Sequence, residues 1–159
     1  MKKLTLLRHG KAESHGNGVD DFQRELVKKG ILQVQKIAPQ ALHAWGIPDL
    51  VTSSPALRAQ STAEIFAEAV GSSSDIILYD QLYAADTSDI ADVVRQLPSS
   101  ADHVVITGHN PSLEEFAFLL LKEDITLKTG SCIHFTLSIE RWKDFSITQT
   151  PHDQQLITP

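Results

Sequence analysis

The sequence predicts an α/β protein built on a mostly parallel sheet, with helices on both faces and an antiparallel hairpin near the end of the chain. Three observations carry this. Short apolar runs alternate with longer stretches of helical period. The runs lack polar alternation, as strands covered on both faces do. After residue 131 the pattern changes to a two-residue period.

Leu4–Leu7, Leu50–Thr52, Ile76–Leu78 and Val104–Thr107 read as buried strands bounded by polar or turn-forming residues. After the first, Ile31, Val34, Ala38, Ala41 and Leu42 recur at helical spacing, and Pro39 is expected to kink that helix. Ala56–Val70 follows the second strand, with Leu57, Ala63, Ile65, Phe66 and Ala69 available for a core face. The polar run "GSSSD" at 71–75 is loop-sized. Ile90, Val93, Val94 and Leu97 mark a third helix and Leu113–Leu121 a fourth. The order βαβαβαβα calls for parallel strands joined by covering helices. Cys132–Ile139 then alternates, and Lys143–Thr150 is expected to pair with it as the hairpin.

A chain of 159 residues, 42% of them hydrophobic, is expected to form a single domain over 1–159. Its formal net charge of −6 argues against nucleic acid and anionic membrane as partners, since both attract basic surfaces. No run is long enough to span a bilayer. The apolar run of "MKKLTLLRHG" is about five residues, short of the roughly 7–15 that a signal peptide needs. Cys132 is the only cysteine, which excludes an internal disulfide and a cysteine metal cluster. The expectation is a cytoplasmic protein.

In such a sheet, ligands collect at the carboxyl ends of the strands. "LLRHG" places Arg8, His9 and Gly10 at the first of these ends. "LVTSSPALRAQST" runs from a strand to Ser54, expected as a helix N-cap, and Pro55 in the first helical position. Arg58 then falls in the first turn, from which its side chain leans back over the strand end. "VVITGHNPSLEEF" repeats the arrangement with Gly108, His109 and Asn110, followed by Ser112 and Glu115 spaced as a capping box. Singly, Arg8 reads equally as a solvated strand-end cation, Arg58 as a helix-surface residue and each histidine as a hydrogen-bonded structural group. Jointly, two arginines and helix N-termini on one edge describe a phosphoryl site. A neutral imidazole kept unprotonated by neighbouring cations is a competent nucleophile there.

"LLRHGKAES", "RELVKKG", "SSPALRAQSTAE" and "VVITGHNPSLEE" resemble, in order, the motifs of the histidine phosphatase superfamily over roughly residues 3–122. The short chain and "RHGKAE" opening are most similar to its SixA-type phosphohistidine phosphatases. The resemblance implies a phosphoglycerate mutase-like fold, no metal and no cofactor. It also implies catalysis by His9 as the transiently phosphorylated nucleophile, with Arg8, Arg58, His109 and Asn110 holding the phosphoryl oxygens. Its partner would be a phosphorylated protein, such as a phosphohistidine domain. Arg24 is read as structural support beside the loop.

One departure matters. Mutases and many phosphatases of the superfamily carry an acid in an "L-x-E" setting after the third strand; here Ala84 stands there, in "LYDQLYAADTSD". Asp86 is the nearby substitute, read here as the N-cap of the next helix. The missing acid and short connections after the strands favour phosphohistidine over phosphate esters. The alternatives are a phosphatase or mutase for small phosphate esters, and a phosphoprotein-binding module, which would have no need of both histidines. A metal hydrolase using His15 and His152 lacks any ligand spacing. Trp45 and Trp142 are expected to pack rather than bind.

Overall fold

The computed structural model describes residues 1–16 and 18–159. Its strands are β1 (Lys2–Arg8), β2 (Leu50–Ser53), β3 (Ile77–Leu78), β4 (His103–Gly108), β5 (Cys132–Leu137) and β6 (Asp153–Ile157). Its α-helices are α1 (Lys28–Trp45), α2 (Leu57–Val70), α3 (Thr87–Gln96) and α4 (Ser112–Leu121). The strands form one sheet in the order β3-β2-β4-β1-β5-β6. The first four in that list run parallel, while β5 is antiparallel to both β1 and β6.

Alternation along the central strands sends side chains to two cores. Leu4 and Leu6 of β1, with Val104 and Ile106 of β4, pack against Ile90 and Val94 of α3 and Leu113 and Phe116 of α4. Leu7, Val51 and Val105 point the other way, onto Val34 and Ile37 of α1 and Ala63 and Phe66 of α2. The sheet is therefore covered on both faces, as its uninterrupted apolar strands require. No helix among the described residues is long and apolar enough to cross a membrane.

The structure corrects several expectations. β3 is a two-residue edge strand with Ile77 and Leu78 about 40% exposed, not a buried one. α1 continues unbroken through Pro39, which lies on its exposed side. Residues 143–150 do not form the last strand. Trp142 is fully buried with its indole N–H on the Ala101 carbonyl, and Phe145 stacks on Phe116 at 5.7 Å. Core burial thus claims this stretch as a 3₁₀ turn, and the more polar Asp153–Ile157 pairs with β5 instead. The other tryptophan, Trp45, stacks on His134 at 4.7 Å. The connection after β1 is long, spanning residues 9–27, whereas three residues each follow β2 and β4.

Candidate active site

β1, β2 and β4 lie side by side and end at the same edge, so three separate motifs meet there. His9 follows β1 directly. Its backbone N–H donates to the Gly108 carbonyl at the end of β4, and its own carbonyl accepts from Gly130. Its side chain is held as well: Nδ1 lies 2.7 Å from the Gly10 carbonyl oxygen. A carbonyl only accepts, so the ring proton sits on Nδ1 and the lone pair on Nε2.

Gly10 is needed for space. A Cβ there would stand 2.6 Å from the Gly30 carbonyl oxygen, and one on Gly30 would stand 2.1 Å from that of Lys11. The two glycines let the loop after β1 press onto the start of α1. The Gly10 N–H donates to Thr62 Oγ1, and the Thr62 hydroxyl donates to the Arg58 carbonyl one turn back along α2. One buried hydroxyl thus ties the helix carrying Arg58 to the peptide that orients His9.

The capping roles expected of serine differ. α2 begins at Leu57 with Ala56 as its N-cap, and α4 begins at Ser112 with Pro111, neither cap carrying a side-chain bond. Ser54 instead accepts the Ala56 N–H and lies 2.8 Å from His109 Nε2. When its hydroxyl proton points at that nitrogen, the His109 proton sits on Nδ1. Ser112 donates to the His109 carbonyl.

Arg8, His9, Arg58, His109 and Asn110 all line one cavity of about 550 Å³. The His9 and His109 rings are 5.2 Å apart between centroids. Residues of this wall carry four buried polar atoms without a protein partner: Arg8 Nε, Arg58 Nε, His109 Nδ1 and Asn110 Oδ1. Orphaned buried donors are costly, and two guanidinium groups that each keep an unpaired Nε–H beside one cavity suit anionic oxygens. Arg8 Nη1 and Asn110 Nδ2 both donate to the Leu127 carbonyl.

Burial drives the His9 pKa down to about 4, reinforced by the charges of Arg58, Arg8 and Arg24 and opposed by the bond to Gly10. His109 falls to about 3, again through burial first, then through His9 and Arg58. Both rings are therefore neutral at pH 7.

Asp21 and Tyr83 were not singled out in the sequence. A 3₁₀ turn at residues 21–23 brings Asp21 into the cavity wall. Its carboxylate accepts from Arg24, from Arg58 Nη2 and from the Tyr83 hydroxyl, and its carbonyl accepts from Arg58 Nη1. Burial opposes ionisation, but the bonds from Tyr83 and Arg24 and the Arg58 charge outweigh it and draw the carboxyl to about 2. The i,i+3 spacing of Asp21 and Arg24 was the available signal. Arg24, 8% exposed, also donates to the Glu13 carbonyl, so it braces the loop while bordering the cavity.

Ala84 lines the cavity, and Asp86 is absent from its wall. Asp86 caps α3, accepting from the Ser88 and Asp89 N–H groups in a capping box. Those hydrogen bonds, led by the Ser88 hydroxyl, hold its carboxyl below the usual range. His15 reaches the cavity, near Asp21, whereas the His152 N–H donates to Thr136 beside β6. Among the described residues no three His, Cys, Asp or Glu side chains cluster as a cation site.

Residues 4–112 match the family model of the histidine phosphatase superfamily, branch 1. Among solved structures, the chain is similar to a candidate phosphohistidine phosphatase SixA from Agrobacterium tumefaciens. The two share 27% identity over 84% of this chain and 90% of that one, with a TM-score of 0.76. The protein histidine phosphatase SixA complexed with tungstate has the same fold, at a TM-score of 0.79 and 21% identity over 96% and 95% of the two chains. So does phosphoserine phosphatase from Entamoeba histolytica in complex with 3-phosphoglyceric acid, at 0.63 and 17% over 95% and 94%. No curated protein matches the sequence.

Proposed function

The chain belongs to the histidine phosphatase superfamily, and we propose that it is a metal-independent phosphohistidine phosphatase acting on a phosphorylated protein. His9 Nε2 attacks phosphorus, forming an N–P bond while the bond from phosphorus to the substrate imidazole breaks. That imidazole leaves protonated by solvent at its other nitrogen. Water then attacks phospho-His9, releasing orthophosphate and restoring the neutral ring. Arg8 Nε, Arg58 Nε and His109 Nδ1 are the donors for the equatorial oxygens, whose charge rises in the transition state. Asn110 completes that wall.

One observation carries the choice of substrate: among the described residues, no carboxylate in the cavity is available as a general acid. Ala84 has none, Asp86 is spent capping α3, and Asp21 is held ionised among Arg24, Arg58 and Tyr83. Expelling an alkoxide normally needs such an acid, worth about 10²–10⁴ in rate. An imidazole leaves without one. The likeness to SixA structures supports the same reading.

The test compares kcat/KM for a phosphohistidine protein with that for phosphoserine peptides and sugar phosphates. The expected preference is at least about a hundredfold, with activity intact after exhaustive chelation. Asp86→Asn should leave the phosphohistidine rate unchanged. Comparable turnover of sugar phosphates, lost in Asp21→Asn or Asp86→Asn, would identify an acid and replace this reading with a small-ester phosphatase.

A further inference from the structure

The cationic side chains of the cavity, Arg8, Lys11, Arg24 and Arg58, come from β1, the loop after it and α2. The segment after β3 supplies Tyr83 and Ala84, an uncharged wall. Ala84 has φ of 53°, in the left-handed region that residues with a side chain seldom adopt. The half-buried Tyr83 ring is fixed from three sides. Its hydroxyl donates to Asp21 Oδ2 at 2.9 Å, Phe22 meets it edge-to-face at 5.2 Å, and the His109 ring lies 6.1 Å away at 75°. An aromatic side chain is thus held rigidly beside the orphaned donors of the phosphoryl site.

In-line transfer places nucleophile, phosphorus and leaving nitrogen on one axis, so the leaving group departs away from His9. The equatorial oxygens take the cationic wall. Besides the histidines, the uncharged residues lining the cavity are Ala12, Tyr83, Ala84, Asn110 and Thr129, and of these Tyr83 alone has an aromatic ring to offer the leaving group. We propose that Tyr83, braced by Phe22 and Asp21, is the leaving-group subsite, and that it selects a flat aromatic cation, the imidazolium of phosphohistidine. An aromatic ring attracts such a group through stacking and through its negative face. An alkyl or sugar leaving group gains neither. This inference rests on the phosphohistidine reading above and adds the element that recognises the departing ring.

The experiment uses two phosphoramidates that differ in their leaving group: N-phosphohistidine, which expels imidazole, and phosphoramidate itself, which expels ammonia. Tyr83→Ala should lower kcat/KM for phosphohistidine about three- to tenfold, the scale of one aromatic contact, and leave phosphoramidate within twofold. Tyr83→Phe loses the same bond to Asp21 but keeps the ring, so it should retain wild-type discrimination. An equal loss on both substrates in Tyr83→Ala, or loss of discrimination in Tyr83→Phe, would overturn the subsite, since the effect would then come from Asp21 and the arginines. A wild-type enzyme that prefers phosphate esters to phosphohistidine would instead overturn the reading of the substrate, and this inference with it.

Discussion

Two pairs of histidines meet in this molecule at the same spacing. The rings of His9 and His109 lie 5.2 Å apart, and so do those of His103 and His134. Burial lowers the pKa of all four, to about 4 for His9 and His103 and about 3 for His109 and His134. The second pair is locked. The Thr5 hydroxyl on β1 lies 3.1 Å from His103 Nε2 and 2.8 Å from His134 Nδ1, so its one proton and its lone pairs serve both rings. Trp45 stacks over His134 and donates to Gln155. The first pair has a cavity in front of it, arginines around it and donors with no protein partner. Burial and a lowered pKa are common to both pairs, so neither marks a catalyst. What differs is access and the neighbouring cations, since His103 Nδ1 is also buried without a partner.

The largest expected effect separates the pairs outright. His9→Ala should cost at least about a thousandfold in kcat, as losing an enzyme nucleophile does, with little change in thermal stability. His134→Ala should do the reverse. It leaves a buried Thr5 bond unmade, at about 1–3 kcal/mol, and should lower Tm by several degrees while kcat/KM stays within twofold.

Arg58→Lys comes next. The guanidinium reaches Asp21 with both terminal nitrogens and keeps Nε for the cavity. An ammonium cannot make that division, and a loss of about 10²–10³ in kcat is expected. Among the described residues no arginine acts on the His103 pair, where Lys3 works at a distance through its charge.

Thr62→Val should have a smaller effect, about tenfold in kcat. It removes the acceptor of the Gly10 N–H, and the Gly10 carbonyl is what holds the His9 proton on Nδ1. Thr62→Ser should restore the rate, and the His9 ring signals in a ¹⁵N spectrum should shift in Thr62→Val but not in Thr62→Ser.

The pH dependence is the finest test of the comparison. Each of these histidines has a folded pKa below its unfolded value of roughly 6.5. The folded protein then binds fewer protons than the unfolded chain between about pH 6.5 and 3. Stability is therefore full above that window and falls as the pH drops through it. Replacing both His103 and His134 with glutamine should flatten this acid slope, read as Tm against pH, and leave the pH–rate profile unmoved. The acid limb of kcat/KM should follow His9 alone, near pH 4; a limb near 6.5 in the free enzyme would show that the ring is not shielded.

Much of this was legible in the sequence, because strand ends of a parallel sheet converge by topology. Arg8, His9, Arg58, His109 and Asn110 could be placed on one edge from their motifs, and they line one cavity. Capping preference is local and points Ser54 and Ser112 to helix N-termini, whereas their hydroxyls answer to His109. A run containing aromatic and β-branched residues resembles a strand, which places the last one at 143–150 in the sequence. Trp142 and Phe145 went to the core on the α3–α4 face instead. Asp21 and Tyr83 lie 62 positions apart, and only the long loop after β1 brings them together. Such a loop has no period from which its path could be read.

The most direct measurement is rapid quench of the enzyme with a phosphohistidine protein, followed by mapping of the trapped phosphate. The account predicts a phosphoryl group on His9, acid-labile and base-stable as a nitrogen phosphate is, formed at a rate competent for turnover and absent in His9→Ala. Turnover with no phosphoenzyme at any quench time, or a phosphoryl group on a residue other than His9, would contradict it.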